Sequence, residues 1–83
     1  MMKNEKRIRD VLKAFAEDED KNVEDLKLND SILDELHIDS LKFIELVVEL
    51  EQEFDIEISD EYLMAENFES ISKIDELILG LYK

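Results

Sequence analysis

The apolar positions of this chain fall into three helical patterns, separated by stretches that follow no helical period. Ile8, Val11, Leu12 and Phe15 recur at i, i+3, i+4 and i+7, so residues 3–17 read as an amphipathic helix with charges on its other faces. Within it, Lys6 with Asp10 and Lys13 with Glu17 are spaced for weak ion pairs. Phe43, Leu46, Val47, Leu50 and Phe54 form the inner stripe of a helix over residues 40–54. Ile71, Ile74, Leu77, Ile78 and Leu81 do the same for a last helix that runs to about Tyr82. Asp39 and Ser40 are both good N-cap types, and either can start the middle helix. Asn67 or Ser70 can start the last one.

The stretches between these helices are informative in another way. Asp18 to Asn22 breaks the first period, and Val23, Leu26, Leu28, Ile32, Leu33, Leu36 and Ile38 follow at no single spacing. A connection of this length in a small domain is expected to pack across the bundle, with a short helical turn around residues 30–35. Asp55-Ile56-Glu57-Ile58 ends the middle helix, and Ser59 followed by Asp60 and Glu61 predicts a short helix to about Ala65. One glycine and no proline leave few tight turns, which argues against an all-β fold. The expected architecture is all-α: a small four-helix bundle in one domain, 1–83, with three longer helices, one short helix and a long first loop.

The helix of residues 40–54 carries a second apolar set. Leu41, Ile44 and Val48 lie off the core stripe, on a flank shared with Glu45, Glu49 and Gln52. Two readings stay open on spacing alone. Either this helix is buried on more than one side, or it presents an apolar strip rimmed by carboxylates, a usual form for a docking face.

Charge narrows the choice of partners. The net charge of −14 opposes binding to nucleic acid or anionic membrane and favours partners with basic docking surfaces. The balance is also uneven, because nine acids but only one base, Lys42, lie between Asp39 and Glu61. The absence of cysteine excludes disulfide scaffolds and thiolate metal sites. No apolar run approaches the ~20 residues that cross a bilayer, and no apolar signal core follows Met1. A cytoplasmic monomer is the expectation.

Catalytic groups are scarce. His37 is the only histidine and lies three residues before Ser40, but a triad needs the imidazole in space between serine and carboxylate. His37, Asp39 and Ser40 are too close along one segment for that, so a small hydrolase is disfavoured and His37 reads as a partly exposed loop residue. Asp18-x-Asp20-x-Asn22 opens like a calcium loop, yet the glycine and glutamate such a loop requires are Val23 and Asn29 here. No metal site is expected. Ser40 has no evident general base of its own. It sits instead at a helix start, beside unpaired amides and the positive end of the dipole, which suits a group carrying a phosphate. At this point Ser40 is open to two readings, a plain helix cap or an attachment point for such a group, and a nucleophile is disfavoured.

Asp39-Ser40-Leu41 after Leu36, followed by an acidic amphipathic helix and Glu51-Gln52-Glu53-Phe54-Asp55-Ile56-Glu57-Ile58-Ser59-Asp60-Glu61, resembles the acyl carrier protein family with its peptidyl carrier relatives. The resemblance spans roughly residues 5–82. It implies that Ser40 carries 4′-phosphopantetheine, added from coenzyme A by a separate phosphopantetheinyl transferase. It also implies that acyl, aminoacyl or peptidyl groups ride on the arm's thiol as thioesters, passed between loading and transfer enzymes. By the same resemblance Asp39 is the acid that assists the transferase reaction at its Mg²⁺. Leu41, Glu45 and Val48 match positions that meet the transferase and other partners, and Glu49 and Gln52 lie on the same side.

Two departures from the fatty-acid carriers stand out. His37-Ile38 occupies the place where those carriers usually have Gly and a small residue, and Lys42 the place of an acid. A base there is commoner in peptidyl and polyketide carriers. The expectation is thus a carrier for a specialised polyketide, nonribosomal peptide or aminoacyl-transfer pathway. The alternatives are a primary fatty-acid carrier and an unmodified acidic protein-binding module.

Overall fold

The computed structural model describes residues 4–17 and 22–81. Four α-helices follow in order: α1 (Glu5–Ala16), α2 (Ile32–Glu35), α3 (Ser40–Phe54) and α4 (Ile71–Leu81). Single 3-10 turns occupy Val23–Asp25, Asp60–Tyr62 and Ala65–Phe68, and no strand occurs among the described residues. The all-α bundle with three longer helices is as expected, but the short α-helix sits elsewhere. It is α2, at the turn anticipated around residues 30–35, whereas the segment expected to be helical through Ala65 winds into two 3-10 turns. Ser59 stands at the N-cap position of the first of these without a side-chain bond, so nothing at that end seeds a longer helix.

The core forms where the three apolar stripes meet. Ile8 and Leu12 from α1, Leu46 and Leu50 from α3, and Ile71, Ile74 and Ile78 from α4 are fully buried with Phe68. The long first loop packs as its composition demands. Val23, Leu26, Ile32 and Leu36 are buried, while Leu28 is exposed. Two backbone bonds join the loop to the far end of the chain: Ile32 N–H donates to Glu69 O at 2.8 Å, and Ser72 N–H to Leu28 O at 3.0 Å. These bonds satisfy amides that would otherwise be stranded against the core.

Polar side chains fix α1 on three sides. Arg7 donates through Nε to Glu53 at 2.9 Å and through a second guanidinium nitrogen to the Glu53 carbonyl, at the end of α3. Arg9, a buried cation that the apolar pattern does not reveal, donates to Glu5 at 2.9 Å and to Val23 O at 2.6 Å, pinning the loop. Asn4 Nδ2 donates to the buried Asp75 carboxylate of α4 at 3.1 Å. The expected pairs Lys6–Asp10 and Lys13–Glu17 give way to others, because Lys13 turns to Asp10 at 3.3 Å and Glu24 at 3.7 Å. Such exposed pairs are interchangeable within tenths of a kcal/mol. Lys3, Asp18 to Lys21, Tyr82 and Lys83 lie outside the described residues, and with them most of the calcium-like stretch. Asn22, its last member, caps the first 3-10 turn by accepting from Glu24 N–H at 3.0 Å.

Candidate functional site: the start of α3

Asp39 is the residue that caps α3. Its backbone is extended, and its Oδ1 accepts the Lys42 N–H at 2.9 Å. Its carbonyl takes the Phe43 N–H at 2.7 Å. Of the two residues that could start the helix, the acid starts it and Ser40 becomes the first helical position. The Ser40 and Leu41 amides precede the first ladder bond of α3, so they point outward at the positive end of the dipole. Ser40 is exposed there. This is a fitting surround for a phosphodiester on the Ser40 oxygen.

The approach to Asp39 is tight. Leu36 N–H closes α2 on Ile32 O at 2.9 Å, and His37 turns the chain with φ 51°, in the left-handed region. Ile38 N–H then returns to Leu33 O at 2.9 Å, which aims the chain into α3. His37 is exposed and belongs to this turn, two residues before the cap.

Beside Ser40 lies a groove of about 530 Å³ lined by Leu33, Ile38, Asp39, Ser40, Phe43, Ile44 and Ala65. Its walls are apolar and its polar groups sit at one rim. Phe43 braces it from beneath, edge-on to the buried Phe68 with centroids 5.2 Å apart and planes at 90°. A second groove, of about 320 Å³, lies between Tyr62, Asn67 and one side of α4 from Lys73 to Leu81, and Ser40 is not among its lining residues. The groove residues Leu33, Ile38, Phe43 and Ala65 were not among the sequence candidates. Leu33 and Ile38 showed only as members of the aperiodic loop run, Phe43 only as part of the core stripe, and Ala65 only as the end of a short segment.

The second apolar set of α3 faces outward. Leu41 is 71%, Ile44 51% and Val48 41% exposed. Glu45, Glu49 and Gln52 are exposed as well, so Leu41, Glu45, Val48, Glu49 and Gln52 share one open side of α3. Within that side Glu45 and Glu49 line a shallow recess with Lys42, Ala14 and Phe15 of α1, while Ile44 turns toward the groove beside Ser40. Among the described residues no group of three His, Cys, Asp or Glu side chains could hold a metal ion. No helix among them is long and apolar enough to cross a membrane.

Residues 9–78 match the family model described as a phosphopantetheine attachment site. The chain belongs to the acyl carrier protein family. It is 37% identical over 73 residues to an acyl carrier protein of Exiguobacterium sibiricum, a match covering 88% of this chain and 90% of that one. An acyl carrier protein of Buchnera aphidicola is 56% identical over 39 residues, covering 47% of this chain and 49% of that one. One of Rickettsia bellii is 31% identical over 51 residues, covering 61% and 59%. The chain thus spans only about half to three-fifths of these last two relatives. Members of the family are carriers rather than enzymes, and their prosthetic group is covalently attached 4′-phosphopantetheine. The chain itself contains no cysteine.

Proposed function

We propose that Ser40 is the attachment residue and that the chain carries acyl, aminoacyl or peptidyl groups as thioesters on the arm. The observation that supports this reading is the start of α3. One exposed hydroxyl stands behind an acid that caps the helix, beside free-facing amides and an apolar groove. In the loading step a separate phosphopantetheinyl transferase forms a phosphodiester between the Ser40 oxygen and phosphopantetheine. The diphosphate of coenzyme A breaks, and adenosine 3′,5′-bisphosphate leaves. The hydroxyl proton goes to a base of the transferase. Asp39 holds the helix end in register and lends its carboxylate to the transferase's Mg²⁺.

Leu41, Val48 and Ile44 form the apolar part of the docking side, and Glu45, Glu49 and Gln52 its polar part. Loading and transfer enzymes with basic surfaces fit it. A charge of −14 steers such partners quickly while leaving the complex weak enough to part. A tethered cargo meets each of them at high effective concentration. His37-Ile38 and Lys42 favour a specialised polyketide, nonribosomal peptide or aminoacyl-transfer pathway over primary fatty-acid synthesis. A cytoplasmic monomer completes the reading.

Intact mass after incubation with coenzyme A, Mg²⁺ and a broad-specificity transferase tests it. A single phosphopantetheine on the wild type and none on Ser40→Ala is expected. Unchanged mass in folded wild type, beside a carrier that is modified, would sink the proposal in favour of an unmodified acidic binding module.

A further inference from the structure

Between Ile58 and Phe68 the chain has no α-helix, only two 3-10 turns whose bonds are local. Tyr62 N–H donates to Ser59 O at 2.9 Å, Leu63 N–H to Asp60 O at 3.0 Å, and Asn67 Nδ2 to Tyr62 O at 3.0 Å. This stretch is a strap held at its two ends. At the rear, Phe68 is fully buried against Phe43, and Glu69 O accepts the Ile32 N–H at 2.8 Å. At the front, the Glu51 carboxylate reaches past the end of α3 and accepts the Ile58 N–H at 2.8 Å, seating the buried Ile58 side chain. The Glu51 carbonyl meanwhile takes the Asp55 and Ile56 amides. One residue therefore fixes both where α3 stops and where the strap begins. Toward the rear of the strap, three residues before Phe68, is Ala65, a wall of the groove beside Ser40.

We infer that the Glu51 carboxylate is a latch: while it holds Ile58 the strap of residues 59–67 lies closed against the groove beside Ser40, and its release opens that groove. A segment with local bonds and few buried side chains opens at lower free energy than the helices around it. The carboxylate adds a charge-assisted bond at the one place where such opening begins. The inference rests on the carrier reading only for what the groove receives.

Amide hydrogen exchange by NMR on the unmodified full chain tests it, in wild type, Glu51→Ala, Glu51→Asp and Glu51→Gln. Glutamine keeps a side-chain oxygen that can reach Ile58, whereas aspartate keeps the charge but is too short. In Ala and Asp variants the amides of Ile58, Tyr62, Leu63 and Asn67 are expected to exchange about tenfold faster relative to those of α1 and α4. The Gln variant, which keeps the oxygen but loses the charge, should exchange faster than wild type and slower than the Ala and Asp variants. The Ala65 methyl resonance should move most in Ala and Asp and least in Gln. Acceleration spread evenly over all helices, or an unmoved Ile58 amide, would overturn the latch. If Glu51→Ala does not fold, the Asp and Gln pair decides. Because the measurement needs no prosthetic group, its failure is separate from a failure of Ser40 to be modified.

Discussion

The guanidinium of Arg7 lies over the ring of Phe54, its central carbon 4.3 Å from the centroid, while Nε holds the Glu53 carboxylate at 2.9 Å. One side chain of α1 thus closes the C-terminal end of α3, where bare carbonyls favour a cation. The ion pair is half exposed, and solvent discounts it to well under about 1 kcal/mol. The ring contact and the covered carbonyl bring the total to about 1–2 kcal/mol. Arg7→Ala should lower unfolding stability in urea by that amount. Arg7→Lys should recover less than half, because an ammonium cannot lie flat on the ring and bond twice.

Asn4 and Asp75 join the first described residue to α4 through a buried bond. Asp75→Ala strands the Asn4 amide and should cost about 1–3 kcal/mol. The double variant Asn4→Ala/Asp75→Ala should cost less than the two single changes added together, which a double-mutant cycle in urea would read. Strict additivity would show the pair to be uncoupled.

His37 and Asp55 flank α3 at its two ends, and both sit in the left-handed region, with φ 51° and 52°. An L side chain there costs about 1–2 kcal/mol, which glycine avoids at some entropic cost. Asp55 also places an anion at the negative end of the helix. His37→Gly and Asp55→Gly should each raise stability by about 0.5–1 kcal/mol. With about 22 Å of helix between them the gains should add, giving a measurable rise in Tm for the double variant.

Fourteen uncompensated negative charges repel one another in the compact state. Added salt, or millimolar Mg²⁺, should raise Tm by screening them. A Tm that is flat or falling across such a series would show that self-repulsion does not limit this fold.

The start of α3 was legible to within one residue, since Asp39 and Ser40 are both good caps, and its end followed from the break in period after Phe54. Core stripes on α1, α3 and α4 followed from spacing alone. The 3-10 turns of residues 60–68 were not legible, since Ser59-Asp60-Glu61 is as good a start for an α-helix as for one turn, and the sequence does not show that Ser59 makes no capping bond. The exposure of Leu41, Ile44 and Val48 also required the fold. Their period is the same whether a neighbour covers them or not. Hidden most fully were the side chains that reach outside any helical spacing: Arg9 to Val23 O, Arg7 to Glu53 and Glu51 to the Ile58 amide. At the site, Asp39 and Ser40 could be named from the sequence, but the groove beside them could not, because its walls come from α2, α3 and the strap.

The two backbone bonds that tie the first loop to the region of α4, Ile32 to Glu69 and Ser72 to Leu28, set the order in which this chain can assemble and come apart. Their partners sit in opposite halves of the chain, so they are expected to close only after the local turns and helices have formed. Once closed, they make the loop and the last helix one cooperative unit. Residues 22–31 of that loop should then resist proteolysis about as long as the helices do, and yield only when α4 leaves the bundle.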